Sequence, residues 1–210
     1  MADWTTVSAL ATAGGTLVLA AATFASVRSA NRAARVTERA LLAGIRPVLV
    51  PSRLQDPPEK VGFMDDHWIK VDGGRAVVEV TEASIYLAMA LRNVGSGLAV
   101  LDRWDLFTER PTADRSHREP EAFRRLTRDL YVPPGDRGFW QGALRDRDDP
   151  FFAAVRDAVS ESRTITVDLL YDDHEGGQRT ISRFSLIPRD DGQWVTSVSR
   201  HWNLDRADPR

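Results

Sequence analysis

Apolar and polar positions follow two different periods along this chain, and the change falls near Ile45. Before it the pattern is helical. Thr5 to Val27 carries no charged side chain and is followed at once by Arg28, Arg32, Arg35 and Arg39. About 20 apolar residues in a helix cross a hydrocarbon core roughly 30 Å thick, so the run predicts one membrane-spanning helix. Val7, Leu10, Leu17, Val18, Leu19, Phe24 and Val27 each favour insertion by roughly 0.3–0.6 kcal/mol, while the Thr, Ser and Gly residues oppose it. At about 100° per residue, Ser8, Ala11, Gly15, Ala22 and Ser26 gather on one side and Leu10, Leu17 and Phe24 on the other. That division suits a lipid-facing side and a membrane packing face, because small residues let backbones approach closely in lipid.

The helical pattern continues without proline from Arg28 to Ala43 and stops at Gly44, with Pro47 just beyond. Arg28, Arg32, Arg35 and Arg39 share one face as a juxtamembrane basic stripe. At 1.5 Å per residue Arg39 lies about 16 Å along the axis from Arg28. Anionic headgroups act over a Debye length of roughly 8–10 Å, so only the first two arginines reach them unless the helix bends. Basic residues after the span and none before it predict an N-out topology with the C-terminal side cytoplasmic. A cleaved signal peptide fits less well, since Asp3 replaces a basic leader, although Ala20 to Ala22 resembles a cleavage site.

Beyond Ile45 the period becomes two. Ile45–Ser52 reads as a short opening strand that Pro51, Pro57 and Pro58 keep from extending. His67–Val71 and Ala76–Val80 flank Asp72-Gly73-Gly74, which predicts a hairpin. Ser84–Asn93 is apolar on both faces, as a central strand requires, and a tight turn from Asn93 to Ala99 leads into a strand over Leu98–Thr108. Pro120–Arg128 predicts a short helix, and the charge run of Arg118, Arg124, Arg125 and Arg128, offset by Glu119, Glu121 and Asp129, a solvated face. Leu130–Val132 and Gly138–Trp140 flank a Pro-Pro-Gly-Asp turn. Asp149 suits an N-cap and Pro150 the first position of a helix over Phe151–Ser160. Thr164–Tyr171, Arg179–Ile187 and Gln193–Trp202 predict a β-meander, with Trp194, Thr196, Val198, Arg200 and Trp202 on one inward face. The organisation expected is a transmembrane anchor over 1–27, a juxtamembrane helix over 28–44, one β-domain over 45–204 and a polar tail over 205–210.

Composition adds mainly exclusions. The 210 residues carry 28 basic and 30 acidic side chains, so no global charge favours nucleic acid. All the basic residues except Lys60 and Lys70 are arginine, the bias of a GC-rich genome. The absence of cysteine removes disulfides, cysteine zinc sites and a thiol nucleophile together. His67, His117, His174 and His201 never approach the spacing of a helical metal motif. Asp172-Asp173-His174-Glu175 is polar as any hairpin tip is. Asp146, Asp148 and Asp149 lack the central glycine and closing glutamate of a calcium loop. The glycines after Asn93 precede a strand, whereas phosphate cradles precede a helix. No serine lies in a nucleophile motif.

Arg46-Pro47 at the start of the β-domain, the Asn93-Val94-Gly95-Ser96-Gly97-Leu98-Ala99 turn and the late hairpin Tyr171 to Gly176 resemble a loose group of uncharacterised bacterial single-pass membrane proteins, high-GC and actinobacterial-like. The resemblance covers most of residues 1–203. It implies a mainly β fold, an immunoglobulin-like antiparallel β-sandwich with one or two short helices, and it supplies no catalytic residues. The expectation is a non-catalytic protein of the cell membrane whose cytoplasmic domain serves protein–protein interaction or scaffolding, its partners being the lipid bilayer and either another protein or a second copy. No cofactor, metal or nucleic acid is expected. The alternative is a binding module for a small ligand or for anionic lipid, with an enzyme third.

Overall fold

The structure, a computed structural model, describes residues 3–108 and 116–205. The chain divides into two units, one ending at Gly44 and one beginning at Ile45. The first is a single helix, α1 (Trp4–Gly44), 41 residues long and unbroken between the apolar run and the arginine stripe. It is long and apolar enough to cross a membrane, as an anchor or a signal sequence does. Leu10, Leu17, Val18, Leu19 and Phe24 are exposed along it. The hydroxyls of Ser8, Thr12, Thr16 and Thr23 donate to the carbonyls of Thr5, Ser8, Thr12 and Leu19. These four hydroxyls are thereby satisfied within the helix, as a lipid surrounding favours.

The second unit is mostly antiparallel β. Its strands are β1 (Leu49–Pro51), β2 (Glu59–Gly62), β3 (Trp68–Val71), β4 (Arg75–Val80), β5 (Ile85–Asn93), β6 (Ala99–Phe107), β7 (Arg124–Val132), β8 (Arg137–Leu144), β9 (Ile165–Asp172), β10 (Thr180–Pro188) and β11 (Trp194–Asn203). One short helix, α2 (Pro150–Ser160), sits between β8 and β9, capped by the Asp149 carboxylate accepting from the Phe151 amide. β5 is the spine: β8 pairs along one edge, while β4 and then β1 share the other. From β4 the sheet runs through β11, β10, β9 and β6 to β7. The β4–β11 junction is only two residue pairs long, Ala76 with Trp194 and Arg75 with Val195.

The nine-stranded sheet curls into a half-barrel around one core. Leu87, Met89, Leu101, Trp140, Val167, Tyr171 and Phe184 meet inside it, joined by Phe152, Val155 and Ala158 of α2. The other side of β5 is buried too. Tyr86, Ala88 and Ala90 are covered by Val61, Phe63, Ile69 and Val71 of the separate β2–β3 hairpin. A third cluster packs Phe123 against Leu170, Ile181 and Trp202 on the outer face of β9, β10 and β11.

The antiparallel β architecture, the central β5, the capped α2 and the final meander are as the sequence predicts. Two facing sheets are not what the ladders describe, because β5 pairs on both edges and joins all nine strands in one sheet. Three local expectations are corrected. β3 and β4 do not pair; β3 pairs with β2, and the Gly73-Gly74 turn is bound against the backbone near Ser52 and Arg53, which swings β4 into the main sheet. Pro120–Arg128 is not a helix but one 3-10 turn, Pro120–Ala122, followed directly by β7. The inward face of β11 breaks at a bulge beside Arg183 and Phe184, which moves Arg200 and Trp202 to the outer face and turns His201 in opposite Ser182. A one-residue slip exchanges faces because the strand period is two. Of the expected polar tail, Asp205 is bound by Arg179, and 206–210 lie outside the described residues.

At the start of the domain the Asn93–Gly97 loop lies on the Ile45–Val48 backbone. A Cβ at Gly97 would stand 1.6 Å from the Ile45 carbonyl oxygen, and one at Gly95 2.3 Å from that of Arg46. Gly97→Ala is therefore expected to cost at least about 2 kcal/mol, since backbone cannot give way as a side chain can. Thermal unfolding of the full chain in detergent should register this as a fall of about 4–8 °C; an unchanged midpoint would show that the loop is free to shift.

Candidate functional site

Three segments singled out by the sequence meet at one end of the half-barrel. Asn93, fully buried, accepts from the Val48 and Gly95 amides through Oδ1 and donates through Nδ2 to the Gly97 and Val132 carbonyls. Arg46 donates to Gln178 Oε1, and Gln178 donates to Asp173 Oδ2. Asp173 Oδ1 in turn accepts from the Glu175 and Gly177 amides. Tyr171 Oη accepts from the Leu49 amide and shares a 2.8 Å hydrogen bond with Ser182, whose Oγ lies 2.6 Å from His201 Nδ1. A hydroxyl beside an imidazole has the geometry of a nucleophile and its base. Ser182 has no exposed surface, however, and its second contact is the Tyr171 phenol. Burial lowers the His201 pKa and raises that of Tyr171, so both stay neutral in the folded core. The arrangement fastens the first residues of the domain to the loop and the late hairpin.

A buried ion pair lies on the outer face of the same sheet. Arg183 donates to both oxygens of Asp168 at 2.7 and 2.6 Å and packs against Trp202 and Phe107. Asp105 is the direct cross-strand neighbour of Asp168. Burial pushes both carboxyls up; Arg183 pulls Asp168 back, and the Leu106 amide and Arg118 do the same for Asp105. The Ser116 carbonyl accepts from Arg183, and His117 packs edge-on against Trp202, which lays this segment over the cluster.

A seam runs between β7 and β8. These strands are joined by a turn but pair with β6 and β5, not with each other. Between Leu130 and Arg125, Leu126 to Asp129 oppose the single residue Asp102, so β7 arches away from the sheet. Under the arch is a cavity of about 190 Å³. Trp104, Gly142 and Phe63 line it together with Arg124, Arg125, Arg145 and Gln141. Gly142 makes the floor possible, since a Cβ there would meet Trp140 at 2.8 Å and Trp104 at 3.2 Å.

The arginines are held from outside the cavity. Arg124 is bidentate to Asp149, with Nη2 2.8 Å from Oδ1, and packs over Phe151. Arg145 donates from Nε to Asp65, whose carboxyl is lowered to about 2 by that bond and by the Tyr86 hydroxyl. Arg128 spans the seam to Gln141 Oε1 at 2.9 Å. Arg125 has no ion pair or hydrogen bond among the described residues.

Ser8, Ala11, Gly15, Ala22 and Ser26 lie exposed on α1, as do Arg28, Arg32, Arg35 and Arg39. The four histidines remain apart: His67 is stacked on Tyr86, His117 is against Trp202, His174 is beside Glu175 and His201 is at Ser182. No group of three potential metal ligands occurs among the described residues. Asp146 and Asp149 hold a turn, a helix cap and Arg124. The seam is not evident in the sequence, where Arg124, Arg125 and Arg128 read as a solvated charge run. Their available signal was Leu126, Leu130 and Val132 at even positions with Arg125, Thr127, Asp129 and Tyr131 between them, a strand's period of two. No protein-family model matches the chain, and no curated protein matches it.

Two outcomes follow from the charged groups. The Asp172 pKa is raised from 3.8 to about 6, first by burial and then by Asp173 and Asp205. As the pH falls the folded chain takes up this proton before the unfolded one, so the group costs stability above a pH of about 6 and stops doing so below about 4. Asp172→Asn should raise the unfolding midpoint at neutral pH and leave it nearly unchanged near pH 4; equal gains would assign the effect to something other than charge. Arg183→Met should cost about 3–5 kcal/mol by stranding Asp168. Adding Asp168→Leu should recover much of that loss, which urea unfolding of both variants can measure.

Proposed function

We propose that this chain is a single-pass membrane protein, N-out, whose cytoplasmic β-domain holds a protein partner at the membrane surface as a scaffold or accessory subunit, without chemistry of its own. The observation that carries the reading is on the β2–β3 hairpin, where Trp68 is 68% and Met64 76% exposed. The Trp68 ring lies flat over Gly62, where a Cβ would come within 2.9 Å of it. Its two side-chain torsions are thereby largely fixed before any partner arrives. Tryptophan and methionine are enriched at interface centres, and a rigid aromatic loses little entropy on binding. The small-residue face of α1 gives the same protein a second surface, for a partner helix or another copy within the bilayer.

A second reading rests on the arginine stripe. Arg28, Arg32, Arg35 and Arg39 are exposed and make no ion pair among the described residues, which suits anionic lipid. Flotation with vesicles separates the readings, since stripe binding requires anionic headgroups and fades with salt.

Crosslinking in the host, followed by mild detergent extraction, is expected to give one discrete higher species with the native chain and to lose it with Trp68→Ala and Met64→Ser together. A chain that stays monomeric under every condition would remove the proposal. Single cysteines at Ala2 and Ala207, probed on intact cells with an impermeant thiol reagent, should label only at position 2; labelling only at 207 would reverse the topology.

A further inference from the structure

We propose that the cavity under the β7 arch is a binding site for a small aromatic anion, a carboxylate or phosphate carried on a single flat ring. This goes beyond the partner-holding role and does not depend on it. Volume sets the first limit. A cavity of about 190 Å³ exceeds the roughly 150 Å³ that accommodates benzene, and so holds one ring and its anionic group. The lining sets the chemistry. Trp104 and Phe63 supply aromatic surface, and the missing Gly142 side chain opens the floor between Trp104 and Trp140.

The charged lining is made of donors. Arg124, Arg125 and Arg145 line the cavity, and no carboxylate among the described residues lines it. Their partners Asp149 and Asp65 bind Arg124 through both Nη groups and Arg145 through Nε. Arg145 therefore keeps both of its Nη groups, and Arg125 is uncommitted among the described residues. Gln141 spends its oxygen on Arg128, which leaves its amide hydrogens. Beside this floor the buried Trp140 Nε1 has no hydrogen-bond partner among the described residues. Such a site attracts anions and offers a cation no charged acceptor. Because salt bridges already hold two of the arginines in place, little side-chain entropy remains to be lost on binding.

The test uses the full chain in nonionic detergent and equilibrium dialysis against phenyl phosphate, with phenol, inorganic phosphate and empty micelles in parallel. Saturable binding of phenyl phosphate at a Kd of about 0.1–1 mM is expected, the range that ligand efficiency allows for so small a molecule. Phenol should not saturate, and inorganic phosphate should compete only weakly. Arg125→Ala should weaken binding about tenfold, the loss of one charge-assisted hydrogen bond, and Arg125→Glu should abolish it. Arg189→Ala, on the β10–β11 turn, should leave it unchanged. Arg125 is exposed, so these variants should keep the native unfolding midpoint. Absence of saturable binding, equal retention of phenol, or a Kd indifferent to Arg125→Glu would each overturn the proposal. None of these outcomes bears on crosslinking through Trp68.

Discussion

The side-chain amide of Asn93 is the contact on which the rest of the domain's geometry depends. Buried completely, it fills its hydrogen-bonding capacity with four backbone groups from three parts of the chain. Its own backbone exchanges hydrogen bonds with Asp136 and Gly135 at the turn between β7 and β8. One residue thus pins the first strand, the following loop and the start of the seam to the end of β5. Aspartate would have the same shape but lack the two donors, and alanine would leave all four groups without partners in the core. The seam is closed at the Asn93 end and open at the end bearing Arg124 and Arg145.

The arginine bias takes on a different meaning once the side chains are placed. A composition rich in arginine is a genomic habit, yet the domain uses the planar, five-donor guanidinium where lysine would not serve. Arg183 and Arg124 each bind a carboxylate through two nitrogens while packing on aromatic rings. Arg128 bridges two strands that share no ladder. These side chains hold outer surfaces and strand ends together in a sheet whose core is closed by its own curl and by α2.

Periodicity made much of this fold legible. Ser84–Asn93 announced a central strand because both of its faces are apolar, and Asp149-Pro150 announced a helix start because capping is local chemistry. What periodicity could not carry was the effect of an extra residue. The bulge in β11 moved Trp202 outward, and in β7 the arginines at 124 and 128 on the apolar parity hid a strand whose middle, Leu126 to Asp129, has no β6 partners. The glycine pair at 73 and 74 read as a hairpin tip, but its function is set by the Ser52 and Arg53 backbone, distant in sequence. The Asn93 and Tyr171 motifs were visible as turn chemistry; that both fasten onto the Val48–Leu49 backbone was not, because that convergence belongs to topology.

The short β4–β11 junction has a mechanical consequence. A curled sheet with an open seam resists shear only as well as its weakest remaining ladder. Here that ladder is two residue pairs, with strands β8, β5, β4 and β1 on one side and β11, β10, β9, β6 and β7 on the other. The two sets of strands share one core, and outside this ladder they are tied by Asn93 to Val132, by Tyr171 to Leu49 and by Arg128 to Gln141. Amides of the two-pair β4–β11 ladder are accordingly expected to exchange faster than those of the long β10–β11 and β5–β8 ladders.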